Sequence, residues 1–142
     1  QTGKIYIEEA KAAVAKAGEL PMLHVTDFIS DMAAAYKAAD LVISRAGASS
    51  ISEFCLIGKP VILVPSPNVA EDHQTKNAMA LVEKQAAIYV KDADAPATLL
   101  KQAIELVNDD KKLQNLSANI LTLALPDSAT IIAKEVIKIM RK

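Results

Sequence analysis

At 142 residues the chain is long enough for one domain with its own core, and a hydrophobic content of 51% excludes a disordered tail. A formal net charge of -1, with both signs interspersed and no basic stripe, speaks against nucleic acid as a partner. The single cysteine, Cys55, excludes an internal disulfide and fits a reducing compartment, and the absence of a secretory signal or a long apolar run predicts no transmembrane helix.

Strand and helix signals alternate along the chain, so an α/β fold with a mainly parallel sheet is expected. Aromatic residues make up only 4%, which leaves the core to Ala, Val, Leu and Ile, side chains that suit helices packed closely on a sheet. The first helix is predicted over 5–16, stopped by Gly18. Pro21 then opens a short predicted strand, Met22 to Val25. Ser30 is a candidate cap for a helix whose buried face is Met32, Ala35, Tyr36 and Ala39. Leu41 to Ser44 is predicted as a strand, followed by the turn Arg45-Ala46-Gly47. A helix then runs to Ile57 and ends at Gly58 and Pro60. Val61 to Val64 is the clearest buried strand. A helix over 72–84, a strand over 87–90 and a helix starting near Pro96 follow, then helices over 111–123 and 129–140.

In open α/β sheets ligands bind where strands run into helices, at the carboxyl ends. The turns after Val25, Ser44 and Val64 are therefore the places to search. The run Arg45 to Glu53 is the most informative. Gly47 lets backbone approach a ligand, and the helix after it offers free N–H groups and a positive dipole end to a diphosphate. Ser49 and Ser50 can add hydroxyl donors, Glu53 can accept from a ribose diol, and Arg45 faces either a phosphate or solvent. The same residues fit a plainer reading: Ser50-Ile51-Ser52-Glu53 is a capping box that would close its own helix end.

The second candidate stretch is Glu71 to Ala78. The carboxamide of Gln74 can donate and accept, as sugar hydroxyls require, and Asn77 lies one turn on along a similar face. The alternative is a polar helix start capped by Asp72. His73 belongs to no visible triad, and His24 is read as an ordinary strand residue. The third candidate is Thr26-Asp27-Phe28-Ile29, whose backbone can meet a base edge or merely connect strand to helix. No zinc-type ligand spacing is present, so no metal and no cofactor are expected. Cys55 is read as core.

Gln1-Thr2-Gly3-Lys4, Thr26-Asp27-Phe28-Ile29 with Met32, Arg45 to Glu53, and Asp72-His73-Gln74 with Asn77-Ala78 follow one another in an order that resembles the C-terminal domain of the MurG family. The resemblance runs over nearly the whole chain. It implies a single nucleotide-sugar-binding domain over 1–142: a Rossmann-like parallel sheet flanked by helices, the C-terminal half of a GT-B fold lacking its first strands. It also implies UDP-N-acetylglucosamine as donor, with inverting transfer to the 4-hydroxyl of a lipid-linked N-acetylmuramyl-pentapeptide in peptidoglycan synthesis. By the same resemblance Ile29 would meet uracil through its backbone. Ala48, Ser49, Ser50, Ile51 and Ser52 would lie by the diphosphate at the helix start, Glu53 would hold the ribose, and Gln74 with His73 would contact the N-acetylglucosamine; Arg45, Gly47 and Asn77 complete the expected substrate-binding set. Catalytic residues and the acceptor site would belong to an N-terminal domain on the cytoplasmic face of the inner membrane.

The chain begins with Gln1 rather than Met, which we read as a fragment or a processed product, and a fragment is expected to be inactive alone. Its shortened sheet is expected either to pair Met22 to Val25 elsewhere or to be covered in a homodimer. Other readings remain: a different GT-B UDP-sugar transferase, a UDP-N-acetylglucosamine epimerase, or a non-catalytic donor-binding subunit of a split transferase.

Overall fold

The computed structural model describes residues 1–18 and 21–140. Two compact units emerge, one over residues 1–38 and one from Ala39 onward.

The first unit contains helices α1 (Gly3–Ala17) and α2 (Met32–Ala38). Helix α1 stops at Gly18, whose φ of 97° suits a residue without Cβ. Helix α2 has the expected face over its own length, since Met32, Ala35 and Tyr36 are its less exposed positions, while Ala39 lies beyond its end. Its first turn is held by Asp31, whose Oδ1 accepts from the Ala34 N–H at 2.9 Å, and not by Ser30.

The predicted strand Met22 to Val25 does not form: among the described residues nothing pairs with it, and Met22 is 90% exposed. A strand exists only through a neighbour's ladder, so four residues of suitable composition do not make one. His24 is accordingly an exposed loop residue. The chain just beyond is tied down differently. Thr2 and Gly3 donate their N–H groups to Thr26 and Asp27 carbonyls at 2.9 and 3.0 Å, and the Ile29 N–H donates to Gln1 Oε1 at 2.9 Å.

The second unit is built on a parallel sheet ordered β1 (Val42–Ser44), β2 (Val61–Leu63), β3 (Ile88–Tyr89). The register pairs Val42 with Val61 and Ile62 with Ile88. Val61, Ile62 and Leu63 are each fully buried, as a central strand covered on both faces requires. Among the described residues the unit's α-helices are α3 (Ala48–Ile57), α4 (His73–Val82), α5 (Ala95–Val107), α6 (Asp110–Leu121) and α7 (Ser128–Met140).

One core cluster joins Ile62, Val64 and Val90 of the sheet region to Leu106 of α5 and Leu116 of α6. Alternation along β2 turns Val61 and Leu63 to the other face. Helix α3 ends at Gly58, left-handed with φ of 65°, and α6 packs on α3 while Ser117 Oγ donates to the Gly58 carbonyl at 2.7 Å. Cys55 is 5% exposed, and burial raises its thiol pKa. No residue of α7 is buried, and no helix among the described residues is long and apolar enough to cross a membrane.

Candidate functional site

The carboxyl ends of β1 and β2 feed two loops, and the side chains that join those loops define the site. From β1 the chain passes through Arg45, Ala46 and Gly47 into α3. From β2 it passes through Val64 to Asn68 and a 3-10 turn (Ala70–Asp72) into α4.

Helix α3 begins at Ala48 with Gly47 as N-cap, and no side chain caps it. The first intrahelical bond runs from the Ile51 N–H to the Gly47 carbonyl at 3.0 Å. The N–H groups of Ala48, Ser49 and Ser50 therefore precede the helix's own ladder, at the positive end of its dipole. The capping box expected at Ser50-Ile51-Ser52-Glu53 is not formed: the helix starts three residues too early, so Ser50 is already inside it. Ser52 Oγ instead donates back to the Ala48 carbonyl at 3.0 Å, and Glu53 stands exposed in the second turn.

Gly47 has φ of -70° and ψ of 141°, a conformation open to any residue. A Cβ built there would meet only Ser50 Oγ, at 3.9 Å. Nothing in the chain itself therefore demands glycine at this position.

Behind the turn, Ala46 is fully buried. Its N–H donates to Gln74 Oε1 at 3.2 Å, and its carbonyl accepts from Asn77 Nδ2 at 3.1 Å. Gln74 Oε1 also accepts the Ser66 N–H at 2.9 Å. Two N–H donors converging on one amide oxygen fix the orientation of that carboxamide, with Nε2 as its remaining polar group. Gln74 and Asn77 do share a face of α4, as their spacing suggests, but the oxygen of one and the nitrogen of the other hold backbone.

Arg45 is engaged within the chain. Its Nη1 donates to the Val64 and Pro65 carbonyls at 3.1 and 3.3 Å and pairs with the Asp92 carboxylate. It thus ties the end of β1 to the exit of β2 and to the segment after β3. Asp92 was not among the candidate residues, although its place just past the third strand's carboxyl end is a usable signal. Ser66, held by Gln74, was also missed, because a backbone N–H leaves no mark on residue type.

Asp72 occupies the N-cap position of α4 without a side-chain cap bond, so the cap expected from it is not made. Glu71 and Asp72 both carry positive φ, 54° and 51°, which turns the chain sharply into α4. His73 Nδ1 donates to the Ala70 carbonyl at 2.8 Å, a contact that places the proton on Nδ1. Ile29 lies in the first unit, with its N–H on Gln1 Oε1. Among the described residues no group of three metal-ligating side chains converges.

Comparison with known proteins gives a consistent result. The model for the glycosyltransferase family 28 C-terminal domain matches residues 1–132. A protein of Phocaeicola vulgatus, named UDP-N-acetylglucosamine--N-acetylmuramyl-(pentapeptide) pyrophosphoryl-undecaprenol N-acetylglucosamine transferase, is 72% identical over 142 residues, which is 100% of this chain and 38% of that protein. A protein of the same name from Bacteroides thetaiotaomicron is 71% identical over 139 residues, covering 98% of this chain and 37% of its own length. The crystal structure of Acinetobacter baumannii MurG superposes with a TM-score of 0.84 at 30% identity, over 97% of this chain and 42% of that one. The glycotransferase of kitacinnamycin, at 22% identity and a TM-score of 0.63, shares the fold over 94% of this chain and 40% of its own. The chain thus spans well under half the length of these relatives, and the α/β sheet with its flanking helices matches the C-terminal part of a GT-B structure. By the family match, the identities and the fold together, this chain belongs to the glycosyltransferase family 28 C-terminal domain family, as the C-terminal domain of a MurG protein.

Proposed function

We propose that this chain forms the donor-binding part of an inverting transferase that moves N-acetylglucosamine from UDP-N-acetylglucosamine to undecaprenyl-pyrophosphoryl-N-acetylmuramyl-pentapeptide. The observation that carries this reading is Gly47, a glycine that neither its backbone angles nor its neighbours require. It lies directly before an uncapped helix start, where a diphosphate can approach the backbone. The relatives' names supply the identity of the nucleotide sugar and of the acceptor.

In this reading the N–H groups of Gly47, Ala48, Ser49 and Ser50 receive the diphosphate, with Ile51 and Ser52 in the same first turns of α3. As the sugar–phosphate bond breaks, negative charge grows on the departing UDP, and the dipole of α3 stabilises it. Glu53 accepts from the ribose hydroxyls. Gln74 offers Nε2 to an oxygen of the sugar, with His73 beside it. Arg45 acts through the turn that it ties down. Ile29 meets the uracil through its backbone. The whole of 1–142 serves as one nucleotide-sugar-binding domain. The base that activates the acceptor hydroxyl, and the acceptor site itself, lie in an N-terminal domain held at the cytoplasmic face of the inner membrane. The chain alone is inactive as a transferase.

The test is saturation-transfer NMR of the gene product that contains this chain, with UDP-N-acetylglucosamine, UDP, UDP-galactose and GDP. Signals selective for uridine and strongest for the N-acetylglucosamine donor are expected. In Glu53→Ala, UDP and UDP-N-acetylglucosamine should weaken alike, because both carry the ribose. A preference for GDP, or no loss in Glu53→Ala, would overturn the assignment.

A further inference from the structure

We infer that Asn77 is a positioning residue, which aims the Gly47 N–H at the nucleotide diphosphate by holding the Ala46 carbonyl. The role in binding rests on the donor-site reading above; the hold on the backbone does not.

Ala46 is fully buried, and a buried peptide group needs a partner for each of its polar atoms. Both partners come from side chains one turn apart on α4: Gln74 Oε1 takes the N–H, and Asn77 Nδ2 gives to the carbonyl. Ala46 N–H and Ala46 C=O belong to successive peptide planes. The second plane is the one it shares with Gly47. A trans peptide points its C=O and its N–H in opposite directions. While Asn77 holds the Ala46 oxygen, the Gly47 N–H must therefore point away from Asn77, and it joins the N–H groups at the start of α3.

Glycine makes this control necessary. A peptide preceding glycine can flip with little steric resistance, since φ of glycine is free on both sides. Asn77 supplies what sterics do not. With Nδ2 turned to the Ala46 carbonyl, Asn77 stabilises the observed peptide orientation, and the flipped one would require the carboxamide to turn its Oδ1 towards the Gly47 N–H.

A direct sugar contact and a hold on Ala46 make opposite demands on the side chain. Sugar hydroxyls can donate to a carboxylate, so Asn77→Asp would keep a sugar contact. A carboxylate cannot donate to the Ala46 oxygen and repels it, while it accepts readily from an N–H. Asn77→Asp therefore favours the flipped peptide, with the Gly47 N–H turned towards residue 77.

The experiment uses the gene product that contains this chain, with glycine labelled in nitrogen-15 and the Gly47 signal assigned by its loss in a Gly47→Ala variant. In Asn77→Asp the Gly47 amide signal should shift without any ligand present. Affinities for UDP and for UDP-N-acetylglucosamine should both fall, by about tenfold and by the same factor, as expected for one lost backbone contact. In the transfer assay the donor KM should rise while the acceptor KM stays put. A purely structural role would lower the amount of active protein and move neither KM. If Asn77→Asp fails to fold by circular dichroism, Asn77→Ala replaces it, with the same equal loss for both ligands at about threefold. An unmoved Gly47 signal overturns the inference, as does a loss confined to the sugar nucleotide. A wild-type protein that binds no uridine nucleotide refutes the proposed function instead, and the Gly47 signal still decides whether Asn77 holds the turn.

Discussion

Replacing Gly47 by alanine separates what the fold needs from what a ligand needs. In the folded chain the added methyl meets only Ser50 Oγ at 3.9 Å, an ordinary contact, and φ of -70° is comfortable for alanine. Two folding effects of opposite sign remain. Alanine restricts the unfolded chain and so stabilises by about 0.4–1 kcal/mol. At an N-cap, alanine is poorer than glycine by roughly 0.5–1 kcal/mol. The net change in stability should therefore stay within about 1 kcal/mol of zero. Binding is another matter. A diphosphate oxygen bonded to the helix N–H groups sits about 3 Å from their nitrogens, so a methyl beside them displaces it. Losing one hydrogen bond to a charged group costs about 1.5–3 kcal/mol, or roughly ten- to a hundredfold in affinity. Urea unfolding and calorimetric titration with UDP, on the gene product containing this chain, measure the two quantities. A stability loss beyond about 2 kcal/mol would mean that the fold, not a ligand, requires the glycine. Unchanged UDP affinity would mean that nothing approaches the backbone there.

Gly58→Ala should behave in the opposite way. It sits at φ of 65°, and its Cβ would fall 2.6 Å from Leu121 Cγ. The left-handed conformation costs about 1–2 kcal/mol and the crowding about another 1, so urea unfolding should show a loss of about 2–3 kcal/mol. A loss under about 1 kcal/mol would mean that α6 yields to the new methyl. Cys55 gives a pH signature. Burial raises its thiol pKa in the folded chain, so the fold excludes the thiolate. The neutral thiol's contribution is complete below the unfolded thiol's pKa and declines as pH rises past it. Relative to Cys55→Ala, the wild type should lose stability as pH rises above about 8.5, and native alkylation should be slow. Fast alkylation of the folded protein at neutral pH would contradict the burial of Cys55.

Much of the second unit was legible in residue order. Val61 to Val64 is apolar without alternation and bounded by proline, and β2 is buried throughout. Gly58 and Pro60 marked the end of α3 because a left-handed stop and a missing N–H have local causes. Met22 to Val25 was misjudged for the converse reason: pairing is a property of two segments, and composition reports on one. The expected caps failed in the same manner. Ser50 and Asp72 are residue types that cap, but where a helix begins is set by the backbone entering it. Gly47 starts α3 before Ser50, and two residues at positive φ deliver α4 with Asp72 turned from the cap geometry.

The site shows why residue type alone could place its parts but not assign their work. Gln74, Asn77 and Arg45 were singled out as groups able to touch a ligand, and each can. A carboxamide or a guanidinium serves backbone and substrate equally well, so the sequence leaves the choice open. Ala46 decides it. An alanine that is fully buried at the end of a three-residue edge strand has left the ladder that would satisfy its peptide, and water does not reach it. Its polar atoms must be met by side chains, and the loops after β1 and β2 run side by side at the sheet's carboxyl end, which brings α4 within reach. Separations of 28 and 31 residues hide these bonds from any local pattern. They follow once β1 and β2 are adjacent and parallel. The same adjacency lets Arg45 reach the Val64 and Pro65 carbonyls. A turn braced in this way by three side chains can leave its outward N–H groups uncommitted, because the inward ones carry the fold.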